Sequence, residues 1–155
     1  MKVIIAGTDD LKSIETILNH PDVFSMVTDD LSPSRLTADF ENSIYIINED
    51  RTGVIRLDPT NSTCCSAHIA TLPKLKGKGK EFAKSVIDLG FTVTRFTTVL
   101  MFVPEFNKPT NKLCVGLGFK KQCVIENSFL KDWKYHNQIV YSLNKYKRGN
   151  ECRQQ

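Results

Sequence analysis

Leu72-Pro73-Lys74-Leu75-Lys76-Gly77-Lys78-Gly79-Lys80-Glu81 is the stretch on which the reading of this chain turns. An apolar, strand-like segment, 67–72, runs into it. After it, Phe82, Val86 and Leu89, with Ala83 and Ile87 beside them, recur at helical spacing. Strand, glycine-bearing loop and helix start is the order in which backbone amides converge on an anion. Glycines let the chain bend and come close, and the first turn of a helix leaves N–H donors unpaired at its positive end. Lysines at 74, 76, 78 and 80 raise the local positive potential. The stretch therefore reads as an anion cradle, with a pyrophosphate as the anion. It is neither of the common nucleotide loops. No Ser or Thr follows Gly79 as a Walker A loop requires, and Phe82 stands where a dinucleotide fingerprint has its third glycine. From this segment alone, a solvated Lys/Gly loop heading an ordinary helix reads equally well.

At 155 residues the chain has the size of one domain with a substantial core, expected over 1–148 and followed by a flexible basic tail at 149–155. No apolar run approaches the roughly 20 residues of a membrane-spanning helix, so no membrane partner is expected. Met1-Lys2-Val3-Ile4-Ile5-Ala6-Gly7 is too short for a signal peptide and runs into acidic residues, which points to the cytoplasm. The five cysteines (64, 65, 114, 123 and 152) form no Cys-x-x-Cys pair and have no nearby His at ligand spacing. They read as reduced, mostly buried thiols, with no metal. On a strand, Cys64 and Cys65 would point to opposite faces. The net charge of +4 gathers at 74–80, 120–121 and 145–148. A nucleic-acid binder shows a broader basic face with interleaved aromatics, so the lysine loop alone argues weakly for one.

Taken in order, the chain predicts a strand over 1–6. A helix follows, capped by Thr8 or Asp9, carrying Leu11, Ile14, Ile17 and Leu18, and ended by His20-Pro21. Segment 22–36 is ambiguous and reads as a loop with a helical turn at 36–40. Residues 44–57 form an antiparallel hairpin, and 62–72 a long strand feeding the cradle. The central helix spans 79–89, with Gly90 as its C′ residue. The apolar run 97–103 suits a strand buried on both faces, and one helical crossover places 67–72 and 98–103 parallel and side by side. Asn107 caps a helix with Pro109 in its first turn, stopped by Gly118. Strands 119–125 and 138–143 close the sheet, with a polar, aromatic segment at 127–136 between them.

Two segments together resemble the GNAT superfamily of acetyl-CoA-dependent N-acetyltransferases. The first is the loop and helix at 72–89. The second is Asn107-Lys108-Pro109-Thr110-Asn111-Lys112-Leu113-Cys114-Val115-Gly116-Leu117-Gly118-Phe119. The family's cradle reads Arg/Gln-x-x-Gly-x-Gly/Ala, and its later helix begins Asn-x-x-Ser/Ala and ends in Leu-Gly-Phe. Lys76 stands at the Arg/Gln position, Gly79 at the first glycine and Glu81 at the final Gly/Ala. Segment 129–143 is similar to the closing hairpin of the branch containing ribosomal-protein N-terminal acetyltransferases, with Trp133 and Asn137 departing from it. His20-Pro21, Asp29-Asp30 and Ala67-His68 resemble small bacteriophage-encoded members. The resemblance covers about 43–143. It implies an α/β (α+β) GNAT fold, with a central mixed, mostly antiparallel sheet, a splayed parallel strand pair and flanking helices.

The resemblance implies acetyl-CoA as cosubstrate, lying in the opening between 67–72 and 98–103. Ile69, Ala70 and Thr71 would pair with its pantetheine arm as with an extra strand. The amides of Lys76, Gly77, Lys78, Gly79, Lys80 and Glu81 would hold the pyrophosphate, with Asn107 and Thr110 on the other side. Two departures stand out: Glu81 brings a negative charge near the phosphates, and Cys114 occupies the position of the family's catalytic Tyr. In the ribosomal-type branch a Ser three residues after the Asn takes the acid role, and Thr110 holds that place. The Cys114 thiol is a second candidate acid. His68 is the candidate base, since imidazole titrates near neutrality, the alternative being a His hydrogen-bonded within the sheet. Glu105, acting through a water, is a further candidate base, while Asp132 and His136 read as hairpin-forming.

The function implied is acetyl transfer to an amine of a protein or small-molecule acceptor. It would take place in the cytoplasm, the host's for a bacteriophage-encoded member, and a homodimer is left open. A non-catalytic GNAT-fold module binding CoA or a partner protein is the alternative, motivated by Cys114 and Glu81. In this fold acceptor specificity falls to 22–40 and 127–136, where sequence order allows an acidic pocket around Asp29, Asp30 and Glu105.

Overall fold

In a computed structural model of the chain, which describes residues 1–147, the strands form a seven-stranded sheet. Cys152 and the expected tail at 149–155 lie outside the described residues. The elements are β1 (Val3–Ile5), α1 (Leu11–Leu18), α2 (Pro21–Val27), β2 (Ile44–Asn48), β3 (Gly53–Pro59), β4 (Cys64–Thr71), α3 (Gly79–Val93), β5 (Thr98–Pro104), α4 (Lys108–Gly116), β6 (Lys120–Lys131) and β7 (Lys134–Asn144). The strand order is β1-β2-β3-β4-β5-β7-β6, antiparallel throughout except for β4 and β5. Side chains alternate between faces along each strand. Ile46, Ile55 and Leu57 pack under α3, while Tyr45, Ile47 and Val54 pack under α1 and α2. None of the helices among the described residues is long and apolar enough to cross a membrane.

The parallel pair is short. It holds only Cys64 to Thr98, Cys65 to Val99 and Ser66 to Leu100. Beyond that, each strand follows its outer neighbour: β4 stays with β3 to Thr71, and β5 stays with β7 to Pro104. Residues 67–72 and 98–103 are therefore parallel but not side by side. A second correction concerns β5. Val99, Met101 and Val103 are buried, whereas Phe102 on the opposite face is 41% exposed, because that face looks onto the opening left by the splay.

The helices depart from expectation where glycine or proline has a second use. α3 runs through Gly90 and ends at Thr94, whose N–H and hydroxyl both donate to the Gly90 carbonyl. A Cβ at Gly90 would lie 3.4 Å from Leu57 Cδ1, so this glycine serves close helix-to-sheet packing and not a helix stop. His20-Pro21 ends α1 and also starts α2: His20 Nδ1 accepts from the Asp22 amide at 3.3 Å, and Pro21 takes the first helical position. The turn expected at 36–40 is not helical. Asn19 ties that segment down by exchanging hydrogen bonds with the Leu36 backbone, each 2.8 Å. At the start of α1, Asp10 accepts from the Gly7 amide and is held by Arg51 at 2.9 Å, so neither Thr8 nor Asp9 is the cap. α4 is capped by Asn107 as expected. It closes on Gly118 at φ +84° with a Schellman pair, Phe119 N–H to Cys114 O and Gly118 N–H to Val115 O. The last hairpin is longer than its alternation shows: β6 and β7 meet at a tight turn of Asp132 and Trp133, both at positive φ.

Candidate active site

Where β4 leaves β5, the inner edge of β4 past Ser66 has no strand beside it among the described residues. Its peptide groups face a hollow of about 350 Å³ bounded by Ile69, Ala70 and Thr71 on β4, Gly79 on α3, and Asn107 and Thr110 at α4. Met26 and Val27 of α2 form the remaining wall. A second hollow of about 150 Å³ continues from the first, sharing Ile69, Asn107 and Thr110, and runs on past His68 and Phe102 to Phe129 and Gln138. The splay thus yields one cleft with two limbs, and Thr110 stands where they join.

The larger limb ends at the cradle. Leu72 N–H donates to Thr52 O at 2.8 Å, fixing the point where β4 turns away. Asn48, buried in the β2–β3 turn, accepts from the Thr52 and Gly53 amides at 2.9 Å and so steadies that anchor. A short 3-10 turn, Pro73–Leu75, leads to Gly77 at φ +85°, a conformation that suits only glycine, and α3 starts at Gly79. No side chain caps the first turn of α3, which leaves its amides for a ligand. A Cβ at Gly79 would meet nothing within 4 Å. The loop is held from beneath, where Leu75 and Phe82 press on Gly53 so closely that a Cβ there would lie 2.8–3.0 Å from them.

The charged residues of the cradle are distributed unevenly. Lys76, Gly77, Lys78, Lys80 and Glu81 do not line the limb itself. Lys80 reaches to the last turn of α4, with its Cε and Nζ 3.7 Å from where a Cβ of Gly116 would stand. Glu81 pairs with the Met1 amino group at 2.8 Å, and that hydrogen bond and charge hold its carboxyl below the usual value. Its negative charge is thus matched within the chain.

Among the residues weighed for catalysis, Thr110 and His68 reach the cleft, whereas Cys114 and Glu105 do not. Asn107 Oδ1 accepts from the Thr110 amide at 3.2 Å, which leaves Asn107 Nδ2 as a donor. The Thr110 hydroxyl has no protein partner among the described residues. Cys114 is fully buried, its sulfur 3.6 Å from Met101 Sδ, and burial pushes its thiol up to about 12. It packs the core under α4, facing away from the cleft. Glu105 accepts from the Asn137 amide and side chain at 3.5 and 3.4 Å, bracing β7.

His68 has a partner that sequence reading missed. Its Nε2 lies 3.1 Å from Asp58 Oδ2, and Asp58 also takes the Ser43 hydroxyl at 2.6 Å and Arg56 at 2.9 Å. Burial works against the Asp58 charge, but hydrogen bonds from His68 and Ser43 and the charge of Arg56 outweigh it and bring the carboxyl down to about 2. Asp58 lies next to Pro59 at the end of β3, outside the hairpin expected over 44–57. The one signal that could have found it is register: Arg56 pairs His68 across β3 and β4, so Asp58 sits diagonally on the same face.

At the far end, the two segments assigned to acceptor choice meet. Asp30 N–H donates to Leu130 O at 3.0 Å, Trp133 N–H to Asp30 Oδ2 at 2.7 Å, and Lys131 Nζ to Thr28 O at 3.1 Å. The loop after α2 is thereby docked on the tip of the β6–β7 hairpin. Asp29 is used locally, accepting from the Leu31 amide and the Ser32 hydroxyl. Asp29, Asp30 and Glu105 each hold part of the scaffold and none lines either limb, so the acidic pocket allowed by sequence order does not form.

A mostly antiparallel sheet with one splayed parallel pair opening on a helix N-terminus is the GNAT fold, and solved acetyltransferase structures superpose on nearly the whole chain. No family model and no curated protein sequence matches it. The spermidine N-acetyltransferase of Vibrio cholerae, in complex with CoA and spermine, is 16% identical with a TM-score of 0.76, covering 94% of this chain and 96% of its own. yncA of Salmonella typhimurium, solved with acetyl-CoA, is 17% identical with a TM-score of 0.74 and 94% of each chain covered. The ribosomal-protein-S5-alanine acetyltransferase of Vibrio fischeri is 12% identical with a TM-score of 0.74, covering 94% of this chain and 93% of its own. At these identities the likeness is one of fold.

Proposed function

We propose that this protein is an acetyl-CoA-dependent N-acetyltransferase acting on a primary amine. The observation that carries the reading is the unpaired inner edge of β4 beyond Ser66, which leads along the larger limb to the uncapped first turn of α3. An extended arm ending in a pyrophosphate fits that path, because strand edges pair with extended chains and helix N-termini take phosphates. The open space at Gly79 admits the phosphates where any side chain would stand.

Bound there, acetyl-CoA supplies a thioester whose carbonyl carbon gains a bond to the amine nitrogen as its bond to sulfur breaks. The chain's residues hold the two reactants together, take up the amine's proton and stabilise the leaving sulfur. Ile69 to Thr71 align the arm, and Asn107 Nδ2 bonds it from the facing side. His68 is oriented by Asp58 through Nε2, which leaves Nδ1 as the nitrogen that takes the proton from the amine. Thr110 Oγ1, at the junction of the limbs, donates a hydrogen bond to the departing sulfur, which leaves as the thiolate. Proximity supplies the larger part of the rate.

A module that binds CoA without turnover is the second reading, favoured by the burial of Cys114 at the position of the family's acid. Thermal denaturation and thiol release separate the readings. At a hundredfold excess over Kd a ligand adds about 2.7 kcal/mol, or about 5–10 °C for a domain of this size. Acetyl-CoA should raise the melting temperature by that much and Mg-ATP should not. A response to Mg-ATP with none to acetyl-CoA would overturn the assignment. Binding without thiol release from any amine would select the module.

A further inference from the structure

Resting on the reading of the cleft just given, we infer that the acceptor is a primary amine carried beside one aliphatic or aromatic group, and not a polycation. The smaller limb, where the acceptor enters, is walled by Met26, Val27, Phe102 and Phe129, with His68 and Gln138 as its polar groups toward the acceptor end. No carboxylate among the described residues lines it. The nearby acids are all committed elsewhere. Asp58 holds His68, Asp30 takes the Trp133 amide, Asp29 its own turn and Glu105 the Asn137 side chain. Asp22, which lines the other limb, lies on the cosubstrate side. A second ammonium group entering here would lose its water and meet no carboxylate on the lining.

Size and reactivity agree with this. At about 150 Å³ the limb is well below the roughly 300 Å³ of pockets for larger ligands, enough for a single side chain's bulk. An apolar wall also disfavours the charged form of an amine, so it shifts the acceptor toward the neutral form that attacks. The shared chemistry is therefore an amine next to a hydrophobic group, supplied either by a small free amine or by the first residue of a peptide.

The test is a panel with thiol release as readout and acetyl-CoA binding measured separately by calorimetry. Leucinamide, phenethylamine and peptides beginning with Leu or Phe are set against spermidine and lysine. Apolar amines should exceed spermidine at least roughly tenfold in kcat/KM, the scale on which a hydrophobic pocket discriminates. A peptide preference over leucinamide would identify the source as a chain terminus, and the reverse a free amine; both support the inference. Val27→Glu, at a partly exposed position on α2, should move the ratio toward spermidine. Spermidine or lysine matching the apolar amines in the unaltered protein would overturn the inference, whether their cations stack on Phe102 or Phe129 or find another site. Acetyl-CoA binding with no turnover of the apolar amines would overturn it too, leaving the cosubstrate site standing. Absence of acetyl-CoA binding would remove the proposed function and this inference together.

Discussion

Two glycines of the cradle region should give opposite phenotypes when substituted. At Gly53 an added Cβ would sit 2.8 Å from Phe82 Cε1 and 3.0 Å from Leu75 Cδ2, against the roughly 3.5–4.0 Å of an ordinary carbon contact. Both neighbours are buried, Phe82 at 0% and Leu75 at 5% exposure, so neither can swing aside into solvent. Overpacking of this kind costs about 1–3 kcal/mol, offset by roughly 0.4–1 kcal/mol from a less free unfolded chain. Gly53→Ala should therefore lose about 1–2 kcal/mol, or about 2–8 °C for this length. At Gly79 an added side chain meets nothing within 4 Å, so Gly79→Val should keep its stability within about 0.5 kcal/mol. It should nevertheless lose most of the stabilisation by acetyl-CoA, because the side chain stands where the phosphates approach. Melting curves of both variants with and without saturating acetyl-CoA give all four numbers. A Gly53→Ala protein that melts like the wild type would refute the packing argument, and an undiminished acetyl-CoA response in Gly79→Val would place the cradle elsewhere.

Asp58→Asn should weaken the fold in a pH-dependent way. The folded carboxyl titrates at about 2, below the ordinary 3.8 of a free Asp, so its contribution is present above about pH 4 and is lost as the pH falls toward 2. The lowering sets a ceiling of about 2 kcal/mol, which solvent screening of this partly exposed group reduces to the order of 1 kcal/mol. Urea unfolding from pH 6 down to about 2.5 should show the gap between variant and wild type closing, and a constant gap would defeat the idea. Thr110→Ala should lower turnover on the order of 10²-fold with acetyl-CoA affinity little changed. Cys114→Ala should instead cost stability on the order of 1 kcal/mol and leave the rate near wild type. Equal rates for the two variants would remove Thr110 from the chemistry.

The parts of the fold that were legible in sequence are those fixed by local signals. Asn107, Pro109 and Gly118 mark the ends of α4 by chemistry that acts within a turn or two, and the structure shows each in that place. The crossover from β4 through α3 to β5 follows from a handedness rule that needs only element order. What was not legible depends on contacts distant in sequence. Gly90 has the look of a helix stop, and only the approach of Leu57 explains why α3 continues through it. Sequence alternation predicts a shorter β6–β7 hairpin, because its turn uses Asp132 and Trp133 at positive φ without a glycine, and because a register break between Ile125 and Phe129 interrupts the alternation. α2 was hidden because Pro21 ends one helix and begins the next.

The same division separates the two limbs of the cleft. In the proposed function, recognition of a phosphate-bearing arm would use backbone: an open strand edge, a glycine with room beside it and a helix start, all within residues 66–81 and hence readable as one stretch. Recognition of the proposed acceptor would use side chains delivered by α2, β4, β5 and the β6–β7 hairpin, which are neighbours only after the splay and the docking of Asp30 on Trp133. A carboxylate in sequence near such a site is no guide to its charge. Asp29, Asp30 and Glu105 all lie in segments that border the acceptor limb, and each is held by a backbone or amide donor that the sequence does not reveal. None of the three lines the limb, whose walls are instead mostly apolar side chains. That difference is what makes the preference for apolar amines over polyamines a test of the structure.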